Sequence, residues 1–253
     1  MKKITALLLA LVMALALTAC GEKTPTASET PSDTPDVKGE GVMTYAEYVA
    51  APLDSEVVVE TYVQAKQSWW DNKATVYTQD KDGAYFCYNM TCSEEDYAKL
   101  VPGTKIKVTG YKSEWSGEVE IIDATFELQE GSYVAPALDA TSLLGTDDLI
   151  KHQNEFVSFK GMTVEASTDP DGQEVAFLYN WDGSGEAGND LYFNVSKDGQ
   201  TYTFTVESYL CGDGTEVYDA VEALKVGDVI DLEGFLYWYE GVNPHITSVT
   251  ASK

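Results

Sequence analysis

Three glycines spaced seven apart occur twice in this chain of 253 residues. "VPGTKIKVTGYKSEWSG" carries Gly103, Gly110 and Gly117; "KVGDVIDLEGFLYWYEG" carries Gly227, Gly234 and Gly241, each 124 positions from its counterpart. The same offset lays Leu100 on Leu224, Ile106 and Val108 on Ile230 and Leu232, and Tyr111 on Phe235. It also lays Tyr85-Phe86-Cys87 on Tyr209-Leu210-Cys211, so Cys87 and Cys211 are expected to share one small apolar packing position. Cys92 falls opposite Glu216 and has no such counterpart. A chain that repeats in this way is expected to build one small unit twice.

Local patterns say what the unit is. "TKIKVTGYKSEW" alternates, Ile106 and Val108 against Lys105 and Lys107, as a half-buried strand does. Gly110 within it marks a bulge or sharp bend. "EVEIIDATFEL" is a second strand, and "SEEDYAKL" before the pair reads as a short helix capped by Ser93. Upstream lie "EVVVETYVQAK" and "ATVYTQDKDGAYFCY", the latter turning at Asp82-Gly83. The predicted order is strand, strand, strand, helix, strand, strand.

That order is the one of the five-stranded OB-fold barrel. "YTQDKDGAYFCY" resembles the strand 2–3 region of bacterial OB-fold domains, and the glycines after the helix and at the end of the next apolar run fit the same family. The resemblance implies an all-β chain with short helices, built as two tandem five-stranded OB-like barrels, at 42–130 and 131–253. "EVVVETYVQ" matches "EFVSFKGMTVE" at an offset near 100, which leaves roughly 24 extra residues in the second copy. They are expected as an insertion near 180–200. "TYAEYVAAP" and "SLLGTDDLIKH" read as short helices able to cover a barrel end.

The N-terminus is read separately. Lys2 and Lys3 precede an uncharged apolar run from Ile4 to Leu17, too short to span a membrane comfortably. Leu17-Thr18-Ala19-Cys20 resembles the bacterial lipoprotein lipobox. The resemblance implies a signal peptide over 1–19, cleavage before Cys20 and a lipid on that residue. The protein is then expected on a bacterial cell membrane, anchored through the lipid and facing the exterior. Residues 20–41 contain "TPTASETPSDTP" and too little apolar surface to fold, so a disordered tether is expected.

Function is less legible. The net charge is −26 and the chain has no arginine. Such a surface repels polyanions, so nucleic acid is expected to be a poor partner. His152 and His245 stand beside no nucleophile motif or metal-ligand spacing, and no enzyme is expected. "DGSGEAGND" spaces Asp182, Ser184 and Glu186 as oxygen ligands are spaced in calcium loops, but Phe193 stands where the closing acid of an EF-hand would be. It is the weak candidate for a cation, and no other cofactor is expected.

Aromatic side chains are the stronger candidates. OB-folds hold ligands across strands 2–3, between the loops joining strands 1–2 and 4–5. Trp69, Trp70 and Trp115 are expected to converge there, with Trp238 and Tyr239 at the place of Trp115 in the second copy. The expected role is a non-catalytic extracellular binding module, its ligand a glycan or peptide held by these rings. The alternatives are a single-stranded nucleic-acid-binding protein, for which Lys66, Lys73, Lys105, Lys107 and Lys112 supply a local basic strip, or a structural subunit of an envelope complex.

Overall fold

The alternation seen in the sequence closes into a barrel within residues 37–252, the part of the chain that the computed structural model describes. Strands β1 (Glu56–Lys66), β2 (Lys73–Gln79), β3 (Ala84–Thr91), β4 (Thr104–Trp115) and β5 (Glu118–Ser132) pair in the order β1-β2-β3-β5-β4. The ring closes through β1–β4, where Val59 faces Val108, and the β3–β5 pair is parallel at Phe86 and Glu120. Helix α1 (Tyr45–Ala50) starts with a reciprocal cap between Thr44 and Glu47 and covers one end by packing Tyr48 on Tyr85, ring centres 4.9 Å apart. Helix α2 (Glu94–Lys99) joins β3 to β4, and the Ser93 hydroxyl accepts from the Asp96 N–H at 3.1 Å.

The second barrel repeats the plan with β6 (Phe156–Glu165), β7 (Leu191–Lys197), β8 (Gln200–Val206), β9 (Val229–Phe235) and β10 (His245–Ala251). Its order is β6-β7-β8-β10-β9, closed by β6 with β9, and helix α3 (Glu216–Glu222) joins β8 to β9. Both barrels therefore share the OB-fold order. Gly110 and Gly234 sit at the register shifts of β4 and β9. A Cβ on Gly110 would meet Ala124 Cβ at 2.7 Å, and one on Gly234 would meet the His245 carbonyl oxygen at 2.2 Å. The repeated glycines mark close strand crossings where the barrel corner turns.

Two expectations are corrected. The extra residues of the second copy lie within 166–190, a hairpin-bearing excursion between β6 and β7; residues 191–200 expected within the insertion belong to the barrel hairpin of β7 and β8. Cys87 and Cys211 do not share a position. The parallel pairs Phe86–Glu120 and Thr205–His245 are equivalent, so Val206 stands where Cys87 stands. Cys87 is inside the first core, whereas Cys211 lies past β8 in the connection to α3, half-buried against the second core; both, like Cys92, are free thiols. Two matching letters in three were a coincidence across a connection that is longer in the second copy. The signal, Cys20 and the tether up to residue 36 lie outside the described residues.

The barrels are joined by a third core, Tyr77, Phe86 and Phe235, with Phe156, Leu210 and Tyr237 against it. Tyr77 stacks on Phe235 at 4.5 Å, and its hydroxyl bonds His245 Nδ1 at 2.6 Å. Burial pushes His245 down to about 3, so it is the neutral ring that meets Tyr77. Polar ties border this core: Phe156 N donates to Gln79 Oε1 at 2.8 Å, and Glu240 N to Ser116 O at 2.7 Å. Tyr77→Phe should leave His245 Nδ1 buried and unpaired, lowering stability by about 1–3 kcal/mol in urea denaturation.

Candidate functional site: an aromatic groove across β2 and β3

β3 alternates from Tyr85 to Tyr88, before a register shift near Asn89. Tyr85 and Cys87 point into the first core, while Phe86 and Tyr88 point out. The outer face of β2 and β3 thus carries rings, and one end of it is left uncovered by the third core. There a cavity of about 420 Å³ opens. Trp70, from the β1–β2 connection, and Tyr88 line it from the first barrel, and Tyr209 and Tyr237 line it from the second. Trp70 is 67% exposed, Tyr209 64% and Tyr88 43%. The groove is held together by the second barrel: Ser68 N donates to Tyr209 O at 2.7 Å, which ties the β1–β2 connection to the turn after β8.

Its polar groups are few. Lys73 is the one lysine among the residues that line it, beside the amides of Gln67 and Asn89. Glu207 is nine-tenths buried. Burial, followed by the nearby Asp190 charge, pushes its carboxyl up to about 7. Oε1 accepts from Tyr209 N at 3.2 Å, and Oε2 has no hydrogen-bond partner. Flat, exposed rings flanking a slot can sandwich planar groups, with the amides and Glu207 to bond ring edges.

The structure distributes the expected site residues differently. Trp70 is in the groove. Trp69 is half-buried and its Nε1 donates to Cys92 O at 3.0 Å. Trp115 is exposed at the end of β4 and does not line the groove. Trp238 packs on the second core, its N–H donating to Glu118 Oε2 at 2.9 Å, and Tyr239 lies in the exposed β9–β10 turn. The lysine strip is dispersed too. Lys105 pairs with Glu60 at 2.8 Å, Lys107 lies opposite Glu60 and Glu127, and Lys66 donates to Tyr97 O at 2.6 Å. Lys112 is buried and donates to the carbonyls of Tyr48, Val49 and Ala51.

The 182–190 loop does not gather ligands. Asp182 Oδ1 accepts from Ser184 N at 3.0 Å in a local turn, and Glu186 N donates to Asn189 Oδ1 at 3.0 Å. Among the described residues no group of three or more His, Cys, Asp or Glu side chains is placed to hold a metal ion. Sequence reasoning missed Tyr88, which the alternation of "AYFCYNM" could have exposed. It also missed Tyr209 and Glu207, which no local pattern could bring to β2 and β3.

No family model and no curated protein matches this chain. Solved structures do. A murine DNA-binding protein bound with double-stranded DNA is 11% identical over 78% of this chain and 96% of its own, with a TM-score of 0.37. The HINa domain of Ifi202 in complex with duplex DNA is 10% identical over 79% of this chain and 100% of its own, at 0.35. A replication protein A heterotrimer bound to single-stranded DNA is 11% identical over 78% of this chain and 49% of that one, at 0.32. This degree of likeness carries no argument about the groove. Against the expectation that nucleic acid is a poor partner, these neighbours are DNA complexes; a charge summed over the whole chain does not describe the potential at one groove.

Proposed function

We propose that this protein is a non-catalytic OB-fold module that binds single-stranded nucleic acid in the groove across β2 and β3. The observation that carries the reading is the slot itself, lined by Trp70 and Tyr88 from one barrel and by Tyr209 and Tyr237 from the other. Bases present flat faces to such rings irrespective of sequence, and stacking of this kind contributes about 1–3 kcal/mol per base. Lys73 supplies the contact to a phosphate. The lipobox-like Leu17–Cys20 supports a further part of the proposal, that the module is displayed on the outer face of a bacterial membrane by a lipid on Cys20.

The test is titration of the protein with a fluorescent oligothymidylate, read as anisotropy. Trp70→Ala and Tyr88→Ala should each weaken binding about fivefold to a hundredfold. Trp115→Ala should leave it unchanged. With a single lysine at the groove, the affinity should change little with salt, a log–log slope of magnitude about 0.7 or less. Retention of full affinity in the Trp70 and Tyr88 variants, or displacement by a neutral sugar or peptide in place of oligonucleotide, overturns the reading.

A further inference from the structure

Five buried side-chain oxygens among the described residues lack a hydrogen-bond partner, and two of them belong to residues of one place: Tyr48 Oη and Asn154 Oδ1. That place is a second cavity, of about 510 Å³, in the seam between α1 and the helical turn Leu149–His152 of the second barrel. Tyr48 and Asn154 line it, as does Gln153, whose Nε2 donates to Glu118 Oε2 at 3.2 Å. Burial raises the Tyr48 hydroxyl well above its ordinary range, with Cys87, Tyr45 and Glu118 adding to the effect, which sets Tyr48 and Glu118 in one field. A buried polar atom without a partner costs free energy, and native folds rarely leave several together. Neighbouring amides of this seam are bonded: Asn154 Nδ2 reaches Val119 O at 3.2 Å and Gln153 Nε2 reaches Gly117 O at 2.8 Å.

We infer that this cavity is a second binding site, distinct from the aromatic groove, for a small neutral molecule with an apolar body and two or more hydroxyls. The walls set the body: Val49, Ala84, Val119 and Ile150 are apolar, and the Tyr45 ring lies among them. The unpaired atoms set the hydroxyls, which both donate and accept and so can serve a phenol and an amide oxygen at once. Neutrality follows from charge. Lys112 lines the same cavity and disfavours a cation, while its ammonium is already held by three carbonyls and that of Lys151, the other lysine of the lining, by Asp148, which leaves neither for an anion.

The probe is 1-phenyl-1,2-ethanediol, titrated into the full chain and followed by amide NMR shifts. Saturable shifts in residues 45–49 and 149–154 are expected, with none at Trp70 or Tyr88. Ile150→Trp, a change at an exposed rim position, should block the cavity and abolish them. Tyr48→Phe removes an unpaired hydroxyl, so thermal stability should hold or rise while the affinity falls about fivefold to tenfold. A purely structural Tyr48 would show no such opposition. Absence of saturable shifts at concentrations on the order of 10 mM, or full affinity in either variant, overturns the inference.

Discussion

Gly234→Val destabilises the protein by at least about 3 kcal/mol in urea or thermal denaturation, a larger loss than any exposed-ring substitution produces. The added Cβ would lie 2.2 Å from the His245 carbonyl oxygen and 2.8 Å from Ile246 Cα, both backbone. Backbone cannot swing aside as a side-chain tip can, so β9 and β10 must separate at the register shift between Glu233 and Gly234. His245 is the residue that meets Tyr77 of the first barrel, so the damage reaches the shared core as well. The counterpart Gly110 meets Ala124 Cβ, Ile121 Cγ2 and the Ile122 carbonyl at 2.7–2.8 Å, and Gly110→Val should behave alike. Gly227→Ala is the control: its φ is +90° but nothing lies within 4 Å of the new Cβ, so only the backbone cost of about 1–2 kcal/mol is expected. Equal losses at Gly227 and Gly234 would refute the close-crossing explanation.

Stability falls as pH rises from about 4.5 to about 8, by an amount of the order of several kcal/mol. Glu118 is buried at the seam between the barrels, and burial pushes its carboxyl from 4.5 up to about 8, outweighing the bonds from Trp238 N and Gln153. Glu207 is pushed up to about 7 by burial and by Asp190. A carboxyl whose folded value is raised binds its proton more tightly in the native state. Its contribution is therefore complete below the unfolded value and is lost as pH climbs through the folded one. Glu118→Gln keeps an acceptor for Trp238 N and stays neutral at every pH. It should flatten the decline between pH 6 and 8 and raise stability at pH 8 relative to the parent chain, read from urea midpoints at each pH. A variant that declines as steeply as the parent would place the effect in the general acidic repulsion of a −26 chain.

Much of the architecture was legible because it rests on short-range rules. Period-two alternation placed β4, Ser93 announced α2, and Gly110 and Gly234 announced corners where a Cβ cannot fit. These depend on neighbours in the chain, and the repeat doubled each signal. The false alignment of Cys87 with Cys211 shows where that logic ends: the connection after β8 is longer than the one after β3, and a constant offset hides the difference.

The site was a matter of tertiary structure. Trp70 could be nominated from its loop, but its partners Tyr209 and Tyr237 come from more than 130 positions away, brought there by the packing of Tyr77, Phe86 and Phe235. Trp115 stays outside the groove, and Glu118, Glu207 and Asn154 are buried with unpaired oxygens. By itself the sequence determined two β-barrels, their strand order and their corner glycines, because hydrophobic period and backbone sterics act locally. Which faces of the barrels meet, which rings remain open and which carboxyls lose their water were decided only in three dimensions, because burial is a property of the whole packed chain and not of any stretch within it.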